Sequence, residues 1–509
     1  MTTKAKTQVV IIGAGPTGLS LAAQLLRYQV AFIILDKNEG ITPFSKAIAV
    51  QARTLEIFRE INIAEKAIRM GRITTALNIF YKGKAKARLD LEGMGEGLSP
   101  FSFALSLEQC KTEQVLLDCL SEYKDCIYWK SEFTRLEQKD GVRAFYTDAH
   151  GMEQMIEADH LVGCDGAHSV VRHQLNATFE GDTNAKIFYI ADVTLNSTVI
   201  NKDELFIFLI KKGFILFFPM EGAGHYRVIG ILPDKTEEDK FSFKDIEASI
   251  IEQLRVPVSF TELKWFSTYK VHSRKADTFR KDRCFIAGDA GHIHTPAGGQ
   301  GMNTGIQDTY NLAWKLAYTI RYKMNDTLLE SYNSERMENA RHLLKTTDRM
   351  FDFLTGTGTF WNFIRLKIFP LIARLISRKP ALNKRFFPLL SQIGISYPHS
   401  TLTIKSSIGK VEAGDRMPYF VVAGGRDIFE YINGPAWKLL FFGPDNHHPF
   451  DNLIGSKFPV ITHSFKEIPG SIFNTEAGFY ILLRPDNHIS YIGKEISTCN
   501  MFLEKLNPG

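Results

Sequence analysis

The sequence predicts an α/β protein with three parts. A Rossmann-like nucleotide-binding domain is interleaved with an antiparallel β domain, and a small α/β module follows at the carboxyl end. Three observations predict it. The chain opens with a strand, a glycine-rich turn, a helix and a second strand. Two more glycine-marked turns recur far downstream, each after a short apolar run. Between and beyond them lie a β-rich passage and a late shift in composition. Glycine turns in this order suggest a chain that returns repeatedly to one bound dinucleotide.

Residues 8–12 form a β-branched apolar run suited to a buried parallel strand. Gly13-Ala14-Gly15-Pro16-Thr17-Gly18 follows. Gly13 and Gly15 permit a sharp turn and close backbone approach to a pyrophosphate, and Gly18 lets the next helix pack on the strand. The N-terminus of that helix offers unpaired N–H groups and the positive end of a dipole to phosphates. Residues 31–35 read as the second strand, which ends in Asp36 and then Lys37. An acid at this place can accept a hydrogen bond from a ribose 2′-OH, so the site suits FAD or NAD better than NADP.

Helical periodicity resumes over 107–120, and 125–160 reads as short β pieces around Lys139-Asp140-Gly141. A strand over 160–164 enters the second turn, Gly163-Cys164-Asp165-Gly166-Ala167-His168-Ser169. From 186 to 270 the pattern becomes an antiparallel meander whose apolar runs lack clean alternation, as expected when both faces are covered. Residues 283–288 form another buried strand before the third segment. That segment comprises Gly288-Asp289-Ala290-Gly291-His292 and Pro296-Ala297-Gly298-Gly299-Gln300-Gly301-Met302-Asn303, and a long helix over 304–318 succeeds it. The stretch 351–390 is basic, aromatic and interrupted by Pro370, Pro380 and Pro388. It reads as packed connecting helices more readily than as a membrane-surface segment.

These signals divide the chain into a nucleotide-binding domain (1–75, 101–185 and 271–345) and a β-sheet substrate domain (76–100 and 186–270). Connecting helices (346–400) and a final module (401–509) complete it. A length of 509 residues requires more than one core. With 44% apolar and 23% charged residues, the composition is that of an ordinary globular chain. A net charge of +5, spread without a dense basic stripe, argues against nucleic acid as a partner. The six cysteines include no C-x-x-C pair, which excludes a zinc ribbon or disulfide framework and fits a reducing cytoplasm. His292 and His294 lack an accompanying acid or cysteine cluster, so no metal is expected.

Taken together, the three glycine segments resemble those of the single-component (group A) FAD-dependent aromatic hydroxylases, the p-hydroxybenzoate hydroxylase type. The final module looks like the thioredoxin-like domain of the phenol and polyketide hydroxylase branch, and it lacks the C-x-x-C pair of a thioredoxin, which excludes dithiol exchange. The resemblance implies FAD as cofactor, with Gly13, Gly15, Pro16, Thr17, Gly18, Asp36 and Lys37 at its adenosine and phosphate end. Arg53 and Gln109 would contact the flavin. Asp165 and Gly166 would lie near the pyrophosphate, and Gly288 and Asp289 near the ribityl chain. Pro296 would sit beside the ring, and Gly299, Gly301, Met302 and Asn303 would meet its pyrimidine end. An independent reason supports that last placement: reduction puts negative charge on the pyrimidine, and a helix N-terminus favours it.

The resemblance further implies hydroxylation of an aromatic, phenolic or polyketide-like substrate with NAD(P)H and O2, through a C4a-hydroperoxyflavin. Because the chain has one GxGxxG, NADH or NADPH would visit transiently. Pro296, Arg53, His225 and Tyr226 are the candidate catalytic residues, the last two as groups that could tune a phenolate alongside Arg227. Phe206, Phe208, Phe214 and Phe218 are candidates for a dry wall around the reacting ring. A flavin-dependent reductase of a quinone or prenyl substrate, or a flavin-binding scaffold, would share the same turns. A homodimer is compatible with all of these readings.

Overall fold

The computed structural model describes residues 5–43, 47–200, 203–211, 213–232, 242–295, 298–356, 358–377, 380–444, 450–451, 453 and 455–506. Two large sheets organise it. The first runs in the order Arg280–Lys281, Cys284–Ile286, Glu153–Gly163, Ala5–Ile12, Phe32–Leu35, Ile127–Tyr128. From Cys284–Ile286 to Ile127–Tyr128 every pairing is parallel. The hairpin Glu132–Gln138 and Val142–Thr147 adds antiparallel to the outer part of Glu153–Gly163.

Register is what positions the site. Ile12 pairs with Leu35 on one side and Gly163 on the other, and Gly163 pairs with Ile286. All four residues therefore stand in one row at the carboxyl edge of the sheet. The three glycine segments leave from that edge. In open parallel sheets this is where ligands bind, because the helices that follow the strands aim their N-termini there.

The second sheet has the order His292–Ile293, Val258–Ala276, Phe179–Ser197, His225–Ile231, Gly213–Pro219, Leu205–Ile210, Ala76–Tyr81, Lys84–Asp90. It departs from the expected all-antiparallel meander at one place. Leu205–Ile210 pairs parallel with Ala76–Tyr81, because that strand arrives from far earlier in the chain and not through a hairpin. Both faces are covered. Phe243, Ile246, Ile250 and Leu254 of the helix Phe243–Leu254 pack on one face, against Phe206, Phe208, Phe217 and Tyr226. On the other face Ile79, Phe188, Leu209 and Phe214 meet Phe351 and Ala373 from the long helices.

The carboxyl-terminal module holds a four-stranded sheet, Val460–Phe465, Trp437–Phe442, Phe479–Leu483, Ile489–Gly493, parallel in its first pair and antiparallel thereafter. It docks against the helix Gly301–Tyr322, where Trp437 meets Trp314 edge-to-face at 5.8 Å. Beside that contact lies a buried cluster of charges. Glu335 accepts from Arg484 Nη1 at 2.7 Å and from Lys315 Nζ at 2.8 Å. Asp486 accepts from Arg484 Nε at 3.0 Å and from Trp314 Nε1 at 3.1 Å. Burial pulls the Lys315 ammonium down to about 8, against the attraction of Glu335.

Candidate functional site

At the carboxyl edge the glycine segments touch. Gly13 has φ +104°, and a Cβ there would lie 2.5 Å from the carbonyl oxygen of Cys164. A Cβ on Gly18 would lie 1.9 Å from the carbonyl oxygen of Gly13. Thr17 stands over the third segment: Cβ atoms on Gly288 and Gly305 would come within 2.6 and 2.5 Å of its Oγ1. These glycines are therefore required by the protein's own packing. Gly15 and Gly166 differ, since a Cβ on either would meet nothing within 4 Å. Gly15 stands at the N-terminus of the helix Pro16–Arg27, which carries no side-chain cap.

Asp36 lies at the end of its strand, where Oδ2 accepts from Ala14 N at 2.6 Å and Oδ1 from Asn38 N at 2.8 Å. The carboxylate thus braces the phosphate turn, and Oδ1 also accepts from Asn38 Nδ2 at 2.8 Å. Lys37 is exposed beside it. Gln109 joins the loop before Ala49, donating from Nε2 to Glu113 at 2.9 Å and accepting from Ala47 N at 3.3 Å. Burial raises the Glu113 carboxyl above its usual range.

The third segment is held from below by Asp308, which the sequence reading missed. Its Oδ2 accepts from Gly288 N at 2.9 Å and contacts His292 Nε2 at 2.7 Å, while Oδ1 accepts from Arg336 Nε at 2.6 Å. Burial alone would raise this carboxyl, but Arg336 and His292 prevail and hold it low. Asp289 projects from the turn Gly288–Ala290 and is exposed. A signal for Asp308 existed in an acid within the long apolar helix. Nothing local indicated its partners.

Gly298 and Gly299 have φ +88° and +62°, and a Cβ on Gly299 would approach that of Ala49 to 2.9 Å. Asn303 locks this nest, because Oδ1 accepts from Gln51 N and Thr54 Oγ1, both at 2.8 Å. Nδ2 donates to Ala49 O and Gly299 O, both at 2.9 Å. The helix Gly301–Tyr322 begins here without a side-chain cap, its first N–H groups at Gly301, Met302 and Asn303. His294 Nδ1 lies 2.7 Å from Thr295 O, which leaves Nε2 as the acceptor. That Nε2 is buried without a partner among the described residues, 3.5 Å from the open side of Gly301. Burial lowers the ring to about 4, so it is neutral. Pro296 lies outside the described residues.

Some expectations change. Arg53 does not reach the glycine nest. Its guanidinium is buried against Glu56 at 3.0 Å and the backbone oxygen of Asp486 at 3.2 Å, over the ring of Tyr310. It belongs to the junction with the carboxyl-terminal module. The Asp165 side chain serves its own turn, accepting from Ser169 Oγ at 2.5 Å and Val171 N at 3.1 Å.

Tyr226 points the wrong way for a catalytic group. Side chains alternate along a strand, and Tyr226 falls on the face under the helix Phe243–Leu254, edge-on to Phe206 and Phe217. Burial pushes its phenol up to about 12. Tyr226→Phe is therefore expected to leave cofactor binding and turnover within about twofold of the parent, a change within ±0.5 kcal/mol, as steady-state assays would record. Phe206 and Phe208 share that hidden face, whereas Phe214 and Phe218 belong to the opposite one. Arg227 lies on the opposite face as well, gripping both oxygens of Asp192 at 2.7 Å and reaching Ala47 O at 3.5 Å. His225 Nδ1 contacts Glu221 O at 2.9 Å, at the strand's start.

A family model described as FAD binding domain matches residues 6–347, which contain every glycine segment above. The chain belongs to the FAD binding domain family. Relatives of this FAD-binding chain extend over its whole length. The 6-methylpretetramide 4-monooxygenase of Streptomyces rimosus is 28% identical over 527 residues, covering 97% of this chain and 92% of its own. The pentachlorophenol 4-monooxygenase of Sphingobium chlorophenolicum is 31% identical over 520 residues, covering 95% and 93%. Among solved structures, OxyS anhydrotetracycline hydroxylase from Streptomyces rimosus aligns over 99% of both chains with a TM-score of 0.78 and 26% identity.

Proposed function

We propose that this chain is an FAD-dependent monooxygenase that uses NAD(P)H and O2 to hydroxylate an aromatic, phenolic or polyketide-like small molecule. The observation that carries the reading is the single row of Ile12, Leu35, Gly163 and Ile286, from which three glycine segments converge. The relatives that hydroxylate polyketide and chlorophenol substrates over nearly the full length support it.

The residues present fit FAD. Gly15 leaves open space at a helix N-terminus, and an unpartnered acceptor, His294 Nε2, faces a second helix N-terminus at Gly301. In this reading Gly13, Gly15, Pro16, Thr17 and Gly18 cradle the pyrophosphate, Asp36 and Lys37 hold the adenosine end, and Asp289 binds the ribityl chain. Gly299, Gly301, Met302 and Asn303 receive the pyrimidine. Bound FAD, once reduced, supplies the electrons that activate oxygen. The protein's part is orientation and exclusion of water. Phe214, Leu216, Phe218, Ile229 and Trp265 form an apolar face on the second sheet, with the Arg227–Asp192 pair at its border with the flavin domain. The first sheet then acts as the flavin domain, the second as the substrate domain, and 401–509 as a thioredoxin-like packing module.

The test is direct. Purified protein is expected to be yellow and to oxidise NADH or NADPH with oxygen uptake matched to a hydroxylated phenol or polyketide. Turnover that proceeds equally without oxygen would replace this reading with a quinone reductase. Asp289→Ala is expected to lower FAD affinity by about tenfold, the loss of one hydrogen bond to the ligand. Its melting temperature without flavin, measured alongside, separates loss of a ligand contact from loss of fold.

A further inference from the structure

The helices that cover the second sheet carry apolar groups on both sides. Facing inward, Ala373 and, in part, Leu366 and Phe369 pack against the cluster around Phe188. Facing outward, Phe360, Phe363, Leu371 and Leu375 are 67%, 58%, 55% and 49% exposed. They recur along the consecutive helical runs Thr359–Phe363, Ile364–Ile368 and Phe369–Ser377 at intervals of three, eight and four residues, and Ile372, 45% exposed, stands next to Leu371. The adjoining helix Pro380–Leu390 adds exposed Phe386 and Leu389. Monomeric globular proteins rarely leave so many large apolar groups together in water.

Charge identifies what would cover them. Between residues 353 and 411 the chain has no Asp or Glu, while Arg365, Lys367, Arg374, Arg378, Lys379, Lys384 and Arg385 fall within it. Arg365 turns inward to the carbonyl groups of Leu354, Gly356 and Lys211, but Lys367, Arg374, Lys384 and Arg385 are exposed among the outward apolar residues. A second copy of this surface would bring like charges together. An anionic lipid surface would take both features at once, with the apolar side chains at the acyl boundary and the cations at the headgroups. No helix among the described residues is long and apolar enough to cross a membrane, so contact would be from one side.

We propose that the outward face of residues 359–375 and 384–390 docks reversibly on an anionic bilayer surface. The proposal is independent of the chemistry at the flavin. It revises the expectation that this stretch merely connects domains, because the exposed stripe could not be read from sequence alone.

Full-length protein, with its visible spectrum recorded, is sedimented with vesicles of phosphatidylcholine alone or mixed with phosphatidylglycerol. Binding is expected to be at least about tenfold stronger to the anionic vesicles and to weaken as salt is raised. The double variant Leu371→Glu/Leu375→Glu should lose vesicle binding and keep the parent spectrum. Lys367→Glu/Arg374→Glu should lose the preference for anionic lipid. Equal binding to both vesicles, unchanged binding by both variants, or a lipid-free dimer abolished by Leu371→Glu would each overturn the proposal. The lipid-charge and salt dependence of the parent decide the matter even if a variant fails to fold.

Discussion

Gly15→Val is expected to give a folded but colourless protein, whereas Gly18→Val is expected to give almost no folded protein. Both belong to one motif, yet their surroundings differ. At Gly15 φ is −74° and the space a side chain would enter is empty of protein atoms, so the fold tolerates the change. A ligand phosphate drawn to the N–H groups of the following helix would meet the added methyls, at a cost of ~1–3 kcal/mol, or roughly ten- to a hundredfold in FAD affinity. At Gly18 the obstruction is the chain itself, the carbonyl oxygen of Gly13 standing 1.9 Å from the added Cβ. Relieving it would separate the first helix from the first strand. Flavin absorbance per protein, with circular dichroism melting curves, distinguishes the two. A yellow Gly15→Val protein with native affinity would remove the phosphate turn from the site.

Glu335→Ala is expected to be the most destabilising single change at the junction with the carboxyl-terminal module, by roughly 3–5 kcal/mol, because it strands Lys315 as a buried cation and leaves Arg484 with Asp486 alone. Glu335→Gln should be milder, since an amide can still accept from one of them. Denaturant unfolding of both variants gives the comparison. The pH dependence has a definite sign. Burial by itself would raise the Glu335 carboxyl, but Arg484 and Lys315 outweigh it and hold the group at about 2, below its ordinary 4.5. The pair's contribution is therefore complete above about 4.5 and disappears as pH falls toward about 2. Parent and Glu335→Ala stability curves should converge across that interval. Parallel curves would show that the charge on Glu335 is not what holds the junction.

The legible parts of this protein were those whose causes are local. A β-branched run, a glycine turn and a helix with Gly18 at its base can be recognised because each constrains its immediate neighbours. The turn Gly288–Ala290 and the nest at Gly298 and Gly299 were readable for the same reason: positive φ demands glycine. Arg53 was misplaced because its partner, the backbone oxygen of Asp486, is 433 residues away in sequence. Phe206 and Phe208 were grouped with Phe214 and Phe218 because unbroken apolar runs give no clue to which face each side chain takes; only strand register decides. Asp308 was missed because its meaning depends on Gly288, His292 and Arg336, which come together only in the folded chain.

The turn at residues 484–488 inserts Asp486 between Trp314 and Arg484 and lends its backbone oxygen to Arg53. The helices that carry Arg53 and Trp314 therefore finish packing only when a residue 433 and 172 positions further along the chain arrives. On the ribosome, these helices would have to wait, partly assembled, until Asp486 has emerged. A frameshift or nonsense codon ahead of that turn would then leave a nascent product open to proteases, although all three glycine segments had already been made.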